Sequence, residues 1–284
     1  MRISHFIRKI KIAIKYAKVG FCDGGITTVN LFYPMYGEIL KGKNVLITGG
    51  GSGIGLAIAK KCAACGAHIL ITGRNIKKLE LAVKEIGKEH CSSIIWDISS
   101  VENIEHKLDE CRTILGGDIS VLVNNAGIPP TKFWGNVDED EWNNIYSINL
   151  KGMFFLSQAI VKRWKQNPQS NYRKILNISS QGGFVGAIYP YRMAKWDIRG
   201  LTEGLGKTLI KDNIIVNGIA PGVVKTSMQN FSLQQGDNLY TNQNPIERVI
   251  LPEEIAELAI YLISDVSNAI VGQTIVCDGG YTLK

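Results

Sequence analysis

No apolar run in this sequence approaches the ~20 residues that span a bilayer. Lysines interrupt the one candidate region, "IKIAIKYAKV", so neither a membrane span nor export is expected. Cysteine is also scarce: six residues, at 22, 62, 65, 91, 111 and 277, are too few for a dense disulfide framework in 284 residues. A reducing compartment, and with it a cytoplasmic location, is the expectation. Cys62 and Cys65 form a C-x-x-C, but no second cysteine pair and no histidine pair stands at zinc spacing. Lying inside the helical pattern "LAIAKKCAACGAH", the two are read as helix residues, and no metal site is expected. An excess of one charge is missing from most of the chain. The net charge is +7, yet residues 1–43 hold eight Lys or Arg against two acids, leaving 24 bases and 23 acids beyond them. Nucleic acid is therefore not an expected partner, and the basic character belongs to an N-terminal extension, residues 1–40.

From residue 44 onward, short apolar runs alternate with longer amphipathic stretches. The runs are "NVLIT" (44–48), "HILIT" (68–72), "SIIWD" (93–97), "ISVLVNN" (119–125), "KILNIS" (174–179), "IIVNGIA" (214–220) and "QTIVCDG" (273–279). Runs of this kind suit strands buried on both faces. The rhythm predicts one α/β domain, residues 41–284, built as a doubly wound, mostly parallel sheet of Rossmann type with helices on both faces.

The first run leads into five glycines, "NVLITGGGSGIGLAIAK" (44–60), a strand turning through Gly49 to Gly55 into a helix that starts near Ile54. The first amides of a helix lack internal partners and carry partial positive charge, so an anionic pyrophosphate fits there, and glycine lets the backbone come close. The generic G-x-G-x-x-G fails, because Gly51 and Gly53 are followed by Leu56. T-G-x-x-x-G-I-G does match, through Thr48, Gly49, Gly53, Ile54 and Gly55. Taken alone, such a turn also admits a purely structural reading as a tight connection.

Further motifs follow in order: "NNAG" (124–127), "SINLKG" with Asn149, "NISS" ending in Ser180, "YRMAK" with Tyr191 and Lys195, and "PGVVKT" (221–226). Together with the glycine turn they resemble the short-chain dehydrogenase/reductase family of the classical type, over residues 44 to about 280. The resemblance implies a dinucleotide-binding catalytic domain that interconverts a small-molecule carbonyl, ketone or aldehyde, and an alcohol. On the cofactor it would place Gly49, Ser52, Gly53, Ile54, Gly55, Asn125, Ala126, Gly127, Pro221, Gly222, Val224 and Thr226. Asp97 and Ile98 would contact the adenine; read without the resemblance, Asp97 is a helix cap.

A site that prefers NAD needs a carboxylate near the end of the second strand, on the adenosine ribose. No Asp or Glu occurs from residue 39 to residue 79. The second strand runs instead into Gly73 and Arg74, with Lys77 and Lys78 close behind. A guanidinium there can pair with a 2'-phosphate, and Gly73 makes room for it, so NADP(H) is the expected cofactor. In the alternative, Arg74 is a solvated loop charge.

Tyr191 and Lys195, four apart, share one helix face. A free tyrosine, with a pKa of ~10, is a poor acid-base at neutral pH. A neighbouring ammonium and an oxidised nicotinamide are expected to lower that value. The resemblance assigns the roles. Tyr191 exchanges the proton with the substrate oxygen, Lys195 holds the nicotinamide ribose and tunes Tyr191, Ser180 hydrogen-bonds the substrate oxygen, and Asn149 supports a water-linked proton relay behind the lysine. Tyr189 lacks such a partner, since Met193 stands four residues on. The interval from Ser180 to Tyr191, eleven residues, is shorter than in the family, so substrate identity does not transfer with the chemistry.

Trp134, Phe184, Tyr189 and Val223 are candidate substrate walls, with ordinary packing as the alternative. The Gln- and Asn-rich stretch 226–249 is read as a lid. In the extension, Ile3, Phe6, Ile7, Ile10, Ile14 and Ala17 fall on one side of a helical wheel, and Arg8, Lys11, Lys15 and Lys18 on its flank. Peripheral contact of residues 1–20 with an anionic membrane, docking on this or a neighbouring subunit, a disordered tail and a targeting peptide all remain open. Residues 141–164 and the helix after Tyr191 resemble family helices that pair subunits, implying a homodimer or homotetramer. Two rival functions are weighed: epimerisation or dehydration on the same fold, and a cofactor-sensing binding protein without turnover.

Overall fold

The computed structural model describes residues 36–226 and 239–283, with Ile10, Ile14 and Ala17 as isolated positions. Most of the basic extension, and residues 227–238 of the expected lid, lie outside the described residues. Seven strands form a single sheet: β1 (Asn44–Thr48), β2 (His68–Gly73), β3 (Cys91–Ile95), β4 (Val121–Asn124), β5 (Arg173–Ile178), β6 (Ile214–Pro221) and β7 (Thr274–Cys277). Their spatial order is β3-β2-β1-β4-β5-β6-β7, and every neighbouring pair is parallel.

The apolar runs form strands because both faces of the sheet are covered. Val45, Ile47, Ile69, Ile71, Val121 and Val123 face one core, and the intervening Leu46, Leu70 and Leu122 face the other. Helices α1 (Gly53–Ala64), α2 (Ile76–Ile86) and α7 (Pro252–Ile263) close the first face with Ile58, Leu79, Ile255 and Ala259. Helices α3 (Ile104–Leu115) and α5 (Gly152–Gln166) close the second with Leu108, Leu156, Ile160 and Trp164. Each such aliphatic side chain is worth about 1.5–3 kcal/mol when fully buried. Cys62 and Cys65 sit in the first core as free thiols, so their C-x-x-C spacing serves packing.

The third strand begins and ends two residues earlier than the sequence pattern suggests, at Cys91–Ile95 rather than 93–97. It is an edge strand and pairs on one side only, with β2, so its register and not a continuous apolar run sets its limits. Trp96 follows it, buried, its amide bonded to the Gly73 carbonyl at 3.0 Å. The stretch 141–164 is likewise not one regular helix. It divides into α4 (Glu139–Tyr146), a wide π turn at Ser147–Lys151, and α5.

The longest helix among the described residues, α6 (Pro190–Leu209), meets the chain leading into β7 at a point where only glycine fits. A Cβ on Gly206 would lie 2.5 Å from the Gly272 Cα. Gly206→Ala is therefore expected to cost about 1–3 kcal/mol through a forced backbone shift. Thermal unfolding should show Tm lowered by on the order of 5 °C, and an unchanged Tm would show that this crossing has slack.

Strand order reverses between β1 and β4, and a crevice opens beyond their carboxyl ends, where parallel sheets of this winding receive ligands.

Candidate active site

The glycine turn and the "NNAG" segment meet at that crevice and are tied together by backbone. The Thr48 hydroxyl oxygen accepts from the amides of Asn125 and Ala126, both at 3.0 Å. The Asn125 side-chain amide donates back to the carbonyls of Thr48 and Gly49, at 2.9 and 3.1 Å. Gly49 and Gly53 adopt the left-handed region, φ +68 and +57, which favours glycine at both. Ser52 caps α1 in extended geometry without a side-chain cap bond, and no acid stands in the first helical turn. The first amides of α1 thus face the crevice with no competing anion, the arrangement that accepts a phosphate.

Gly49, Ser52, Gly53, Ile54, Arg74, Asp97, Ile98, Asn125, Ala126, Gly127, Ser180, Tyr191, Lys195, Pro221, Gly222, Val224 and Thr226 all line one cleft of about 460 Å³. Gly55 does not line it. A Cβ there would lie 2.5 Å from the Gly49 carbonyl oxygen and 2.4 Å from the Asn125 amide nitrogen, so this glycine lets α1 approach the turn behind the cleft. Nor does Asn149 line it, since it sits behind the wall. The cleft also takes in Thr72, Gly73, Asn75 and Lys78.

Arg74 reaches over the far end of the cleft. Its guanidinium is exposed and stands 3.9 Å from the Asp97 carboxylate, a loose and well-solvated pair. Burial works to raise the Asp97 pKa, but hydrogen bonds from the Ser99 hydroxyl and amide, with the Arg74 charge, hold it below the usual carboxylate range. Asp97 therefore shapes its own turn through Ser99 and does not cap α3. Asn75 caps α2 by accepting from the Lys78 amide at 3.0 Å, which places Arg74, Asn75 and Lys78 around one helix start. A Cβ on Gly73 would make only ordinary contact with Leu79, at 3.5 Å, so packing does not demand glycine and the space it leaves opens on the cleft.

At the other end, α6 carries Tyr191 and Lys195 into the cleft, entered through Pro190 at its first turn. Lys195 is buried and donates to the Ile178 carbonyl at 3.0 Å, the strand β5 carbonyl two residues before Ser180. Its burial lowers the ammonium pKa to about 8. Burial pushes the Tyr191 phenol above its ordinary value; the hydrogen bond with Ser180 opposes this and Tyr189 adds to it. Burial thus opposes the lowering expected from the lysine together with an oxidised nicotinamide; the Lys195 Nζ lies 5.6 Å from the Tyr191 ring centroid. In this setting the phenol keeps its proton.

The π turn explains Asn149. Its side-chain Oδ1 accepts from the Ile128 amide at 2.7 Å and its Nδ2 donates to the Ile128 carbonyl at 3.0 Å, so it clamps the loop after β4. A Cβ on Gly127 would lie 3.1 Å from that Oδ1 and 3.9 Å from the Lys195 Nζ, which brings both residues to the same small space. A buried relay of amides and hydroxyls runs beneath. Asn124 donates to Ser157 and Asn177, at 3.0 and 2.9 Å, and Asn177 donates to Thr202 at 2.9 Å. Sequence reasoning missed this chain, although the polar residues interrupting the runs "VLVNN" and "KILNIS" were its signal.

Of the candidate walls, Trp134 is 75% exposed, and Tyr189 packs edge-on against Phe133 with centroids 5.1 Å apart. Phe184 lies under the Arg199 guanidinium at 4.3 Å. Neither these three nor Val223 lines the cleft. The described end of the expected lid is fastened to the body. Asn244, buried, donates to the carbonyls of Arg248 and Asp278, and Val224 bridges Ile250.

Residues 49–282 match the family model described as enoyl-(acyl carrier protein) reductase. The chain is 33% identical to the 3-oxoacyl-(acyl-carrier-protein) reductase FabG of Aquifex aeolicus, over 85% of this chain and 98% of that one. It is 34% identical to the NADP-dependent (R)-specific alcohol dehydrogenase of Lentilactobacillus kefiri, over 86% and 98%. Among solved structures it resembles an actinorhodin polyketide ketoreductase crystallised with NADPH, with a TM-score of 0.77 at 28% identity, covering 85% of this chain and 98% of that one.

Proposed function

Because this chain belongs to the short-chain dehydrogenase/reductase family, we propose that it is an NADP(H)-dependent oxidoreductase interconverting a carbonyl and an alcohol. The observation that carries the reading is the convergence of Ser180, Tyr191 and Lys195 at one end of a cleft whose other end presents Arg74.

The cleft fits a phosphorylated dinucleotide. The open first turn of α1 and the side-chain-free backbone at Gly49 and Gly53 would hold the pyrophosphate. Arg74 and Lys78 would hold the 2'-phosphate, Asp97 and Ile98 the adenine, and Lys195 the nicotinamide ribose. When bound, the nicotinamide supplies or accepts the hydride. Everything else falls to the chain. Ser180 donates to the substrate oxygen and orients it, and Tyr191, kept protonated by burial, hands its proton to that oxygen in reduction. Lys195 as an ammonium stabilises the phenolate that results, and Asn149 closes the rear of the site, where a water would link it to Lys195.

Incubation with NADPH and a panel of ketones and aldehydes tests the reading. Net NADPH consumption is expected. An epimerase or dehydratase would return the cofactor unchanged, and a sensing protein would bind it without turnover. The same assay carries a pH signature. Lys195 is charged below its pKa of about 8 and neutral above it. The kcat/KM for reduction should therefore hold at neutral pH and fall as pH rises through about 8, while the raised Tyr191 stays protonated across that window. A flat profile to pH 10 would remove the charge on Lys195 from the mechanism.

A further inference from the structure

Next in sequence to Tyr191, and outside the cleft lining, stands a cation that the proposed chemistry does not use. Arg192 follows Tyr191 on α6, and its stem passes the turn that holds Ser180. A Cβ on Gly182 would lie 3.2 Å from the Arg192 Cγ, and the Gly182 amide donates to the Ser180 hydroxyl oxygen at 3.1 Å. The guanidinium lies over the Tyr189 ring, 5.3 Å from its centroid, and one Nη donates to the Gly186 carbonyl at 3.1 Å. Tyr189 in turn packs edge-on against Phe133, from the loop after β4, and Phe133, Trp134 and Ile188 are exposed around it.

A guanidinium has five N–H donors in a planar fork, and a single bond to a carbonyl leaves most of them unused. No acid answers them: the nearby loop pairs Lys132 with Asp138, and no ion pair involves Arg192 among the described residues. The Glu141 carboxylate is buried and taken by the amides of Thr131 and Lys132 and the Thr131 hydroxyl. The start of α6 adds to the positive field, since no acid stands in its first turn and Tyr189 provides no side-chain cap. The stack on Tyr189 and the bond to Gly186 hold the fork in place, so little freedom is lost when an anion docks.

We propose that Arg192, outside the cleft lining, is a specificity residue for a substrate carrying a carboxylate in the same molecule as the carbonyl, an oxo acid long enough to extend from Ser180 and Tyr191 beyond the cleft to Tyr189 and Phe133. This rests on the carbonyl reductase reading above and narrows its substrate class.

The test compares straight-chain oxo acids of graded length with their primary amides, using NADPH and the whole chain. One length of acid is expected to exceed its amide in kcat/KM by roughly 10- to 100-fold, the value of a charge-assisted pair over a neutral contact. In Arg192→Gln, which keeps a donor for Gly186, the ratio of acid to amide should collapse to about one, and Arg192→Lys should restore part of it. Because the readout is a ratio, a general loss of activity does not mimic it. Amides reduced as well as acids by the wild type, or a preference unchanged in Arg192→Gln, would overturn the assignment while leaving the reductase reading intact. If no carbonyl consumes NADPH, both readings fall together.

Discussion

Tyr191→Phe is expected to lower kcat by about 10³-fold or more while NADPH binding persists, because it deletes a hydroxyl and little else. The size follows from the role: a positioned general acid contributes about 10²–10⁴-fold, and this one has no understudy. Tyr189, two residues earlier, lies under Arg192 and against Phe133, outside the cleft. Ser180 is within hydrogen-bonding reach of the same phenol, but an aliphatic hydroxyl is a far weaker acid. Stability should move little. The phenol is half-buried, and its loss leaves Ser180 still accepting from Gly182 at 3.1 Å. Fluorescence titration with NADPH together with single-turnover rates would separate binding from chemistry. Turnover within tenfold of wild type would mean the proton comes from elsewhere, and the proposed mechanism would have to be abandoned.

The second large effect concerns the choice of cofactor. Wild-type kcat/KM should favour NADPH over NADH, and Arg74→Ala should cut that ratio by roughly 10- to 100-fold, the loss of one or two charge-assisted bonds to a phosphate. Arg74 is suited to this because its partner is weak. At 3.9 Å from Asp97 and exposed, it gives up little on turning to a phosphate. Lys78 on α2 keeps some attraction, so the variant should retain a residual preference, which Arg74→Ala combined with Lys78→Ala should erase. Raising salt should weaken the preference in the wild type more than in the variant, since the interaction is between solvent-facing charges. Equal use of both cofactors by the wild type would defeat the assignment at once.

How far these sites were legible varied with the kind of signal. The Tyr191/Lys195 pair is a matter of helix period, and α6 places both in the cleft as the spacing requires. The glycine turn was equally readable, yet its glycines looked alike in sequence and differ in space: Gly49 and Gly53 face the cleft, whereas Gly55 relieves a contact with Gly49 and Asn125 behind it. Asn149 was placed by motif, but the irregular turn that aims its amide at Ile128 left no mark in the apolar pattern of 141–164. The Arg192 environment was not legible at all, because Tyr189, Gly186 and Phe133 come together there from two separate loops.

The sequence by itself determined the alternation of strands and helices, the two-sided burial of the sheet, the glycine turn from β1 into α1 and the placing of phenol and amine on one helix face. All of these follow from periods and steric preferences that act over a few residues. Only the tertiary structure decided that the Tyr191 proton is held more tightly than in water, that the Lys195 ammonium is held less tightly, and that Arg192 has no ion pair among the described residues. The reason is that desolvation and ion pairing depend on which distant segments close around a group, and segments such as 124–133 and 178–195 become neighbours only when the sheet assembles.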